Sequence, residues 1–380
     1  MPEYTDRILQ LMREAEALSE GPQQIAMVEE AVRIADLHND LDWGFRCRRR
    51  LMSAAMCGGQ PDLLMVAFTW CLAQTERDPK RFDTQELLWA FRWVIFELTS
   101  FPQVSKEKIE ELKREMVKRY EAAGSSMRGY HLLCNRVAVE TGDVEASNRT
   151  FETFKQCKRD WLSDSEETEI AFEVLYRNLL ADDERTLQSA TPILRNVYKS
   201  ELYQGIILST VLMPLLRLRR VPEAMSYHLR CYRLISRNPR YIDRIGDHII
   251  FLSLTDNLGK AATLLQRHLY TALMSVDISS RFDFFLACRL LLGHLVENGK
   301  VSAKLRLPQQ FPLFVESGDY DLKLLSGWFA EQTADLARQF DARNGNEFYQ
   351  SQIDALPNMK KWRQPLPLPA STVAAGHSAI

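Results

Sequence analysis

Little in this 380-residue chain interrupts a helix. Glycine occurs 16 times and proline 15 times, too seldom for a loop-rich or low-complexity chain. An excess of one charge is also missing. Against 48 Lys and Arg stand 50 Asp and Glu, a formal net charge of -2, so no whole-molecule field draws in nucleic acid or an anionic membrane, and such binding would need a local patch. The most apolar stretches, Leu87 to Leu98 and Ile206 to Leu216, stop well short of the ~20 residues a bilayer requires, and the first contains Arg92 and Glu97. Met1 to Gln10 carries Glu3, Asp6 and Arg7 and lacks the apolar run of a secretory leader. The seven cysteines are scattered and form no C-x-x-C pair, which speaks against a disulfide framework or a zinc site and for reduced thiols in a cytoplasmic protein. G-x-S-x-G, a Walker loop, G-x-G-x-x-G and H-E-x-x-H are all absent. No enzyme activity, cofactor or metal is expected.

What the chain does have is apolar residues at helical spacing almost everywhere and a phrase that recurs. Cys57-Gly58-Gly59-Gln60-Pro61-Asp62-Leu63-Leu64 with Phe68, Thr141-Gly142-Asp143-Val144-Glu145-Ala146-Ser147 with Phe151, Arg220-Val221-Pro222-Glu223-Ala224 with His228, and Asn257-Leu258-Gly259-Lys260-Ala261 with Leu265 each set a tight turn ahead of a helix. With the small or apolar anchor of each second helix placed at Gln24, Leu64, Ile109, Ser147, Leu187, Ala224 and Ala261, successive steps are 40, 45, 38, 40, 37 and 37 residues. The expected fold is all-α: about seven helical hairpins stacked over residues 1–275, each packing on its neighbours.

Several boundaries follow from local chemistry. Ser19-Glu20-Gly21-Pro22 ends one helix and starts the next. Thr84 opens the first helix of the third hairpin, Ser105 caps its second helix, and Ser163 with Glu166 reads as a capping box. Pro214 should kink the first helix of the sixth hairpin. Beyond Met274 the rhythm fails. Residues 276–356 are read as a C-terminal helical capping region, including a helix from Asp319 to an Asn344-Gly345 terminus, and residues 357–380, with Pro365, Pro367 and Pro369, as a disordered tail.

Gly142-Asp143-Val144-Glu145-Ala146 with Phe151 resembles the turn and second helix of a tetratricopeptide repeat. Leu64 with Phe68 and Pro79, and Ala224 with His228 and Pro239, resemble the same pattern with about one extra helical turn before the proline. The tryptophan and glycine usual early in the first helices are mostly missing. The resemblance covers about residues 5 to 275. It implies a right-handed α-α superhelix, a solenoid whose first helices line a concave groove where a peptide or protein partner lies. The corresponding function is that of a peptide- or protein-binding scaffold.

Arg46, Arg49 and Ser53 fall on one helical face. With Arg136 they match groove-lining positions of such a repeat, and paired guanidiniums there would clamp a carboxylate or phosphate of the partner. Arg217 to Arg244 holds eight arginines interleaved with Tyr227, Tyr232 and Tyr241. Its stripe of Arg230, Arg233 and Arg237 is the candidate anion site for the alternative reading, a regulator that contacts nucleic acid or an anionic ligand. A third reading is a peptide-sensing domain. His228, His248 and His268 invite a metal, but no ligand set accompanies them and packed rings are expected. Leu87 to Phe96, apolar on nearly all sides, is read as core. Lys360-Lys361-Trp362-Arg363 has the composition of a short docking motif, but basic residues beside proline-rich tails are common and no docking role is assigned to it.

Overall fold

The structure, a computed structural model, describes residues 3–18, 21–58, 60–82 and 85–366. Ser19, Glu20, Gly59, Thr84 and residues 367–380, on which some of the expectations above fall, lie outside the described residues.

Seven helix pairs joined by short turns follow one another: α1 (Glu3–Ala17) with α2 (Pro22–Leu37), α3 (Leu41–Cys57) with α4 (Pro61–Arg77), α5 (Gln85–Glu97) with α6 (Lys106–Ala122), α7 (Arg128–Glu140) with α8 (Val144–Gln156), α9 (Glu166–Leu179) with α10 (Asp183–Leu194), α11 (Glu201–Thr210) and α12 (Leu212–Arg217) with α13 (Val221–Ile235), and α14 (Ile242–Leu254) with α15 (Leu258–Met274). Within each pair the two helices pack together, and the first helices also touch in series, α5 on α7, α7 on α9, α9 on α11 and α11 on α14. The fold is all-helical apart from a two-stranded antiparallel ribbon, β1 (Ser302–Lys304) and β2 (Asp319–Asp321), in which Ala303 faces Tyr320. Around it lie α16 (Ile278–Glu297), α17 (Leu322–Asn344) and α18 (Phe348–Ala355). The ribbon takes Asp319 to Asp321 from the start of the long helix expected there, because Asp321 accepts from the Lys323 and Leu324 amides and caps α17 three residues later.

The recurring unit is visible in the turns. Gly142, Ala181, Arg219 and Asp256 all adopt left-handed backbone, with φ between 53° and 70°, and the next residue's amide reaches back five residues, Asp143 to Ala138, Asp182 to Arg177, Arg220 to Leu215 and Asn257 to Leu252. This is a Schellman-type closure that satisfies carbonyls orphaned at a helix end. Five residues beyond each turn residue stands a buried anchor: Ser147, Thr186, Ala224 and Ala261. The fifth anchor is therefore Thr186, fully buried, and not its neighbour Leu187. Phe68, Phe151, His228 and Leu265, four residues after their anchors, are buried as well; for Phe68, Phe151 and Leu265 that burial is worth about 1.5–3 kcal/mol each.

Other local expectations divide. Ser105 caps α6 through the Lys108 amide, and Pro214, lacking an N–H for the Thr210 carbonyl, separates α11 from α12. The cap of α9 is Ser165, which accepts from the Thr168 amide, whereas Ser163 hydrogen-bonds Asp160. In α5, Leu87, Leu88, Phe91, Val94 and Ile95 are buried. Arg92 on the same helix is 2% exposed and bonds Asp164 Oδ2 at 2.7 Å and the Leu162 carbonyl at 2.8 Å.

The C-terminal elements reach back into the middle of the chain. α16 packs on α14 and touches the 3-10 turn Leu98–Ser100, where Ser279 donates to Ser100. Arg343 of α17 donates to the Thr99 and Phe101 carbonyls at 2.9 and 3.2 Å, and Asn346 to the Thr141 carbonyl at 2.8 Å. Residues 357–366, expected to be disordered, are ordered: Leu356–Trp362 is a 3-10 helix, and the amides of Gln364 and Leu366 bond the carbonyls of Leu254 and Thr255. Lys360 pairs with Glu297 and Arg363 with Asp256, so those basic residues serve intramolecular contacts.

Candidate functional site

The first helices of the later pairs bring their inward faces to one cavity of about 200 Å³, lined from α5, α7, α9, α11, α14 and α16. Three side chains reach it because of how their helices sit. Glu97 stands at the C-terminus of α5 just before the 3-10 turn, Glu140 at the C-terminus of α7, and Asp283 in the second turn of α16. Asp283 lies close to α14 because Gly246 lets the backbones approach: a Cβ there would come within 3.0 Å of the Asp283 carbonyl oxygen. Trp93, Tyr203 and Tyr241 supply aromatic wall between the ionisable groups.

Some of those groups are satisfied. Arg244 pairs with Asp243 at 2.8 Å and reaches Asp247 at 3.4 Å. Asp277 caps α16 by accepting from the Ser280 amide and from the Ser279 and Ser280 hydroxyls at 2.8–2.9 Å. Asp164 is held by Arg92.

Others are not. Glu97, Glu140 and Asp283 take part in no hydrogen bond or ion pair among the described residues. Burial pushes the carboxyls of Glu97 and Glu140 up to about 7, each reinforced by Asp277, against the opposing pull of Arg136 and of Arg240 or Arg244. Burial, then Asp243 and Glu140, raise Asp283 well above the usual carboxylate range. Arg136 is clamped between the rings of Phe96 and Phe172, at 3.9 and 3.8 Å from their centroids, and its Nε is buried without a partner. Burial lowers its pKa to about 10, which leaves it cationic at neutral pH. Arg240 Nη1 is likewise buried and unpartnered.

The remaining sequence candidates go elsewhere. Arg136 lines the cavity, but Arg46, Arg49 and Ser53 do not. Arg46 is exposed over Trp43, and Asp42 nearby pairs with Arg81. The four therefore do not form one clamp. Nor do the arginines between 217 and 244 form one patch. Arg217 is locked on Asp183 at 2.6 Å, and Arg230 binds the Leu194 carbonyl, Asn196 and Gln204. Arg240 and Arg244 face the cavity, while Arg233 and Arg237 are exposed with no partner among the described residues. The stripe of Arg230, Arg233 and Arg237 thus keeps two free members. His228 and His248 share a 2.8 Å Nδ1–Nδ1 contact and His268 meets the Tyr232 hydroxyl at 3.0 Å, all buried. Burial drives His228 and His268 down to about 4 and His248 well below the usual range. Among the described residues no group of His, Cys, Asp and Glu has a metal-binding arrangement, and no helix is long and apolar enough to cross a membrane.

Sequence reasoning singled out Arg136 and missed Glu97, Glu140, Asp283 and Arg240 as site residues. The available signal was position: Glu97 and Glu140 both end first helices, the end that turns toward the cavity. Comparison with known protein families, with curated proteins and with solved structures finds no match to this chain.

Proposed function

We propose that the chain is a noncatalytic recognition domain, built as a tetratricopeptide-like right-handed superhelix, that holds a small charged ligand or the charged end of a short peptide in the cavity ringed by its first helices. One observation carries this reading: inward-facing carboxylates and guanidiniums that elsewhere would pair with each other stand unpaired around a common void. Buried ionisable groups without partners are costly, and a ligand that supplies the missing partners recovers that cost. The void has the volume of on the order of six water molecules at about 30 Å³ each. A helix with its side chains is ~10–12 Å across, so the cavity favours a ligand of residue size over the partner helix that an open groove would take. This narrows the scaffold reading to the peptide-sensing one.

The test is a thermal-shift screen of amino acids and short peptides of varied charge, run on the intact chain and on Glu97→Gln and Arg136→Gln. A ligand-dependent rise in melting temperature that both variants abolish is expected. If nothing in the panel raises the melting temperature, and proteins captured from lysate bind the variants as well as the parent, the cavity is not the recognition surface.

A further inference from the structure

The cavity's unpaired groups are of both signs. Arg136 and Arg240 line it, each with a buried nitrogen that has no partner. Glu97, Glu140 and Asp283 line it with carboxyls that make no hydrogen bond or ion pair among the described residues. Around one void, guanidiniums thus lack acceptors and carboxyls lack donors. The acidic set alone would signify little. The independent sign is Arg136, stacked between two rings that hold its guanidinium in place, lining the same space with its Nε buried and without a partner.

A molecule that satisfies both sets carries an anion and a cation at once. The free groups are two guanidiniums, Arg136 and Arg240, and three carboxyls, Glu97, Glu140 and Asp283, which burial holds toward the protonated form and which a cation brought among them would return to the carboxylate, so the complement has an anionic group for the guanidiniums and cationic groups for the carboxyls. Resting on the recognition reading above, we infer that the cavity binds a free basic α-amino acid of the arginine, lysine and ornithine class. Arg136 and Arg240 receive its α-carboxylate; Glu97, Glu140 and Asp283 receive the α-ammonium and the side-chain cation. A planar carboxylate suits guanidinium forks. The methylene stem lies against Trp93 and Tyr241, aromatic surface that accepts apolar chain and cation alike.

Isothermal titration of the intact protein with L-arginine, L-lysine and L-ornithine tests the inference, with agmatine, which lacks the carboxylate, and norleucine, which lacks the side-chain cation, as single-group deletions. At least one basic amino acid is expected to bind, with agmatine and norleucine each weaker by about tenfold or more, the value of one charge-assisted contact. Glu140→Gln should weaken the amino acid by a similar factor. Arg136→Gln should weaken arginine while leaving agmatine unchanged, so the two losses are one interaction in a double-mutant cycle. The agmatine comparison asks the same question of the unaltered protein should either variant fail to fold. Absence of binding by all three amino acids to natively folded protein, or equal binding of arginine and agmatine, overturns the inference. If charged short peptides then still raise the melting temperature in a Glu97-dependent way, the recognition reading stands without this ligand class; if nothing does, both fall and the void holds water only.

Discussion

Replacing Glu97 by glutamine should make the protein more stable at neutral and alkaline pH, and not in acid. The folded chain holds the Glu97 carboxyl near 7, against 4.5 for a free glutamate, because burial disfavours the anion. A folded value above the unfolded one means that folding takes up a proton. The favourable contribution is complete below pH 4.5 and is lost as pH rises through 7. Linkage at about 1.4 kcal/mol per tenfold gives an upper figure of about 3 kcal/mol lost by pH 8, and cavity water reduces this to on the order of 1–2 kcal/mol. Glutamine keeps the shape and polarity of the protonated acid and never ionises. Urea unfolding from pH 4.5 to 8.5 should therefore give nearly matching stabilities at pH 4.5 and a gap in favour of Glu97→Gln that opens between about pH 5 and 7 and then levels off. Glu140 is itself among the neighbours that raise Glu97, so the double variant with Glu140→Gln should gain less than the sum. On the acid side, His228 and His268, held neutral down to about 4, contribute stability above pH 6.5 that fades as pH falls toward 4. Parallel pH profiles for parent and variant across pH 4.5 to 7 would refute the burial of this carboxyl in the folded state.

Arg343→Gln should cost about 1–3 kcal/mol, the loss of two buried acceptors' partner, and should speed amide exchange locally in residues 98–104, because the Thr99 and Phe101 carbonyls lose their donor. Gly142→Ala places a Cβ about 2.0 Å from the Phe348 ring at φ +70°; a destabilisation of about 3 kcal/mol by urea unfolding is expected, partly relieved in the Gly142→Ala/Phe348→Ala pair. A chain ending at Leu356 loses four hydrogen bonds of Gln364 and Leu366 and the Arg363–Asp256 pair, so its unfolding free energy should fall by about 2–4 kcal/mol. An unchanged value would mean that the segment does not dock in solution.

The helix pairs were legible because they are written in local rules. A 3.6-residue apolar period and a recurring turn placed α1 to α15 in hairpins at the expected stride. The turn itself was harder to read. Only Gly142 announces its left-handed backbone; Ala181, Arg219 and Asp256 adopt the same conformation with a side chain attached, held by the closure of the helix end and not by residue preference. That concealment is why the fifth anchor was displaced from Thr186 to Leu187. Candidate site residues were less legible still. Arg46, Arg49 and Ser53 share a face by spacing, but which face looks into the cavity depends on how successive pairs rotate, a property of packing between units. Glu97, Glu140 and Asp283 lie far apart in sequence on three helices, and nothing local distinguishes them from the solvated glutamates of α6. The order of residues 357–366 was hidden for a related reason: proline-rich composition predicts a chain unable to build its own core, and says nothing about one that docks on the α14–α15 turn.

The clasp of Arg343 and Asn346 on residues 99, 101 and 141 has a consequence for how such a protein can change over generations. An open stack tolerates duplication or loss of one unit, since each unit answers only to its neighbours. Here the last helices grip the third and fourth pairs, so inserting or deleting one hairpin between them would carry the gripping residues away from their acceptors. A change in the number of hairpins within that span would therefore cost the Arg343 and Asn346 hydrogen bonds.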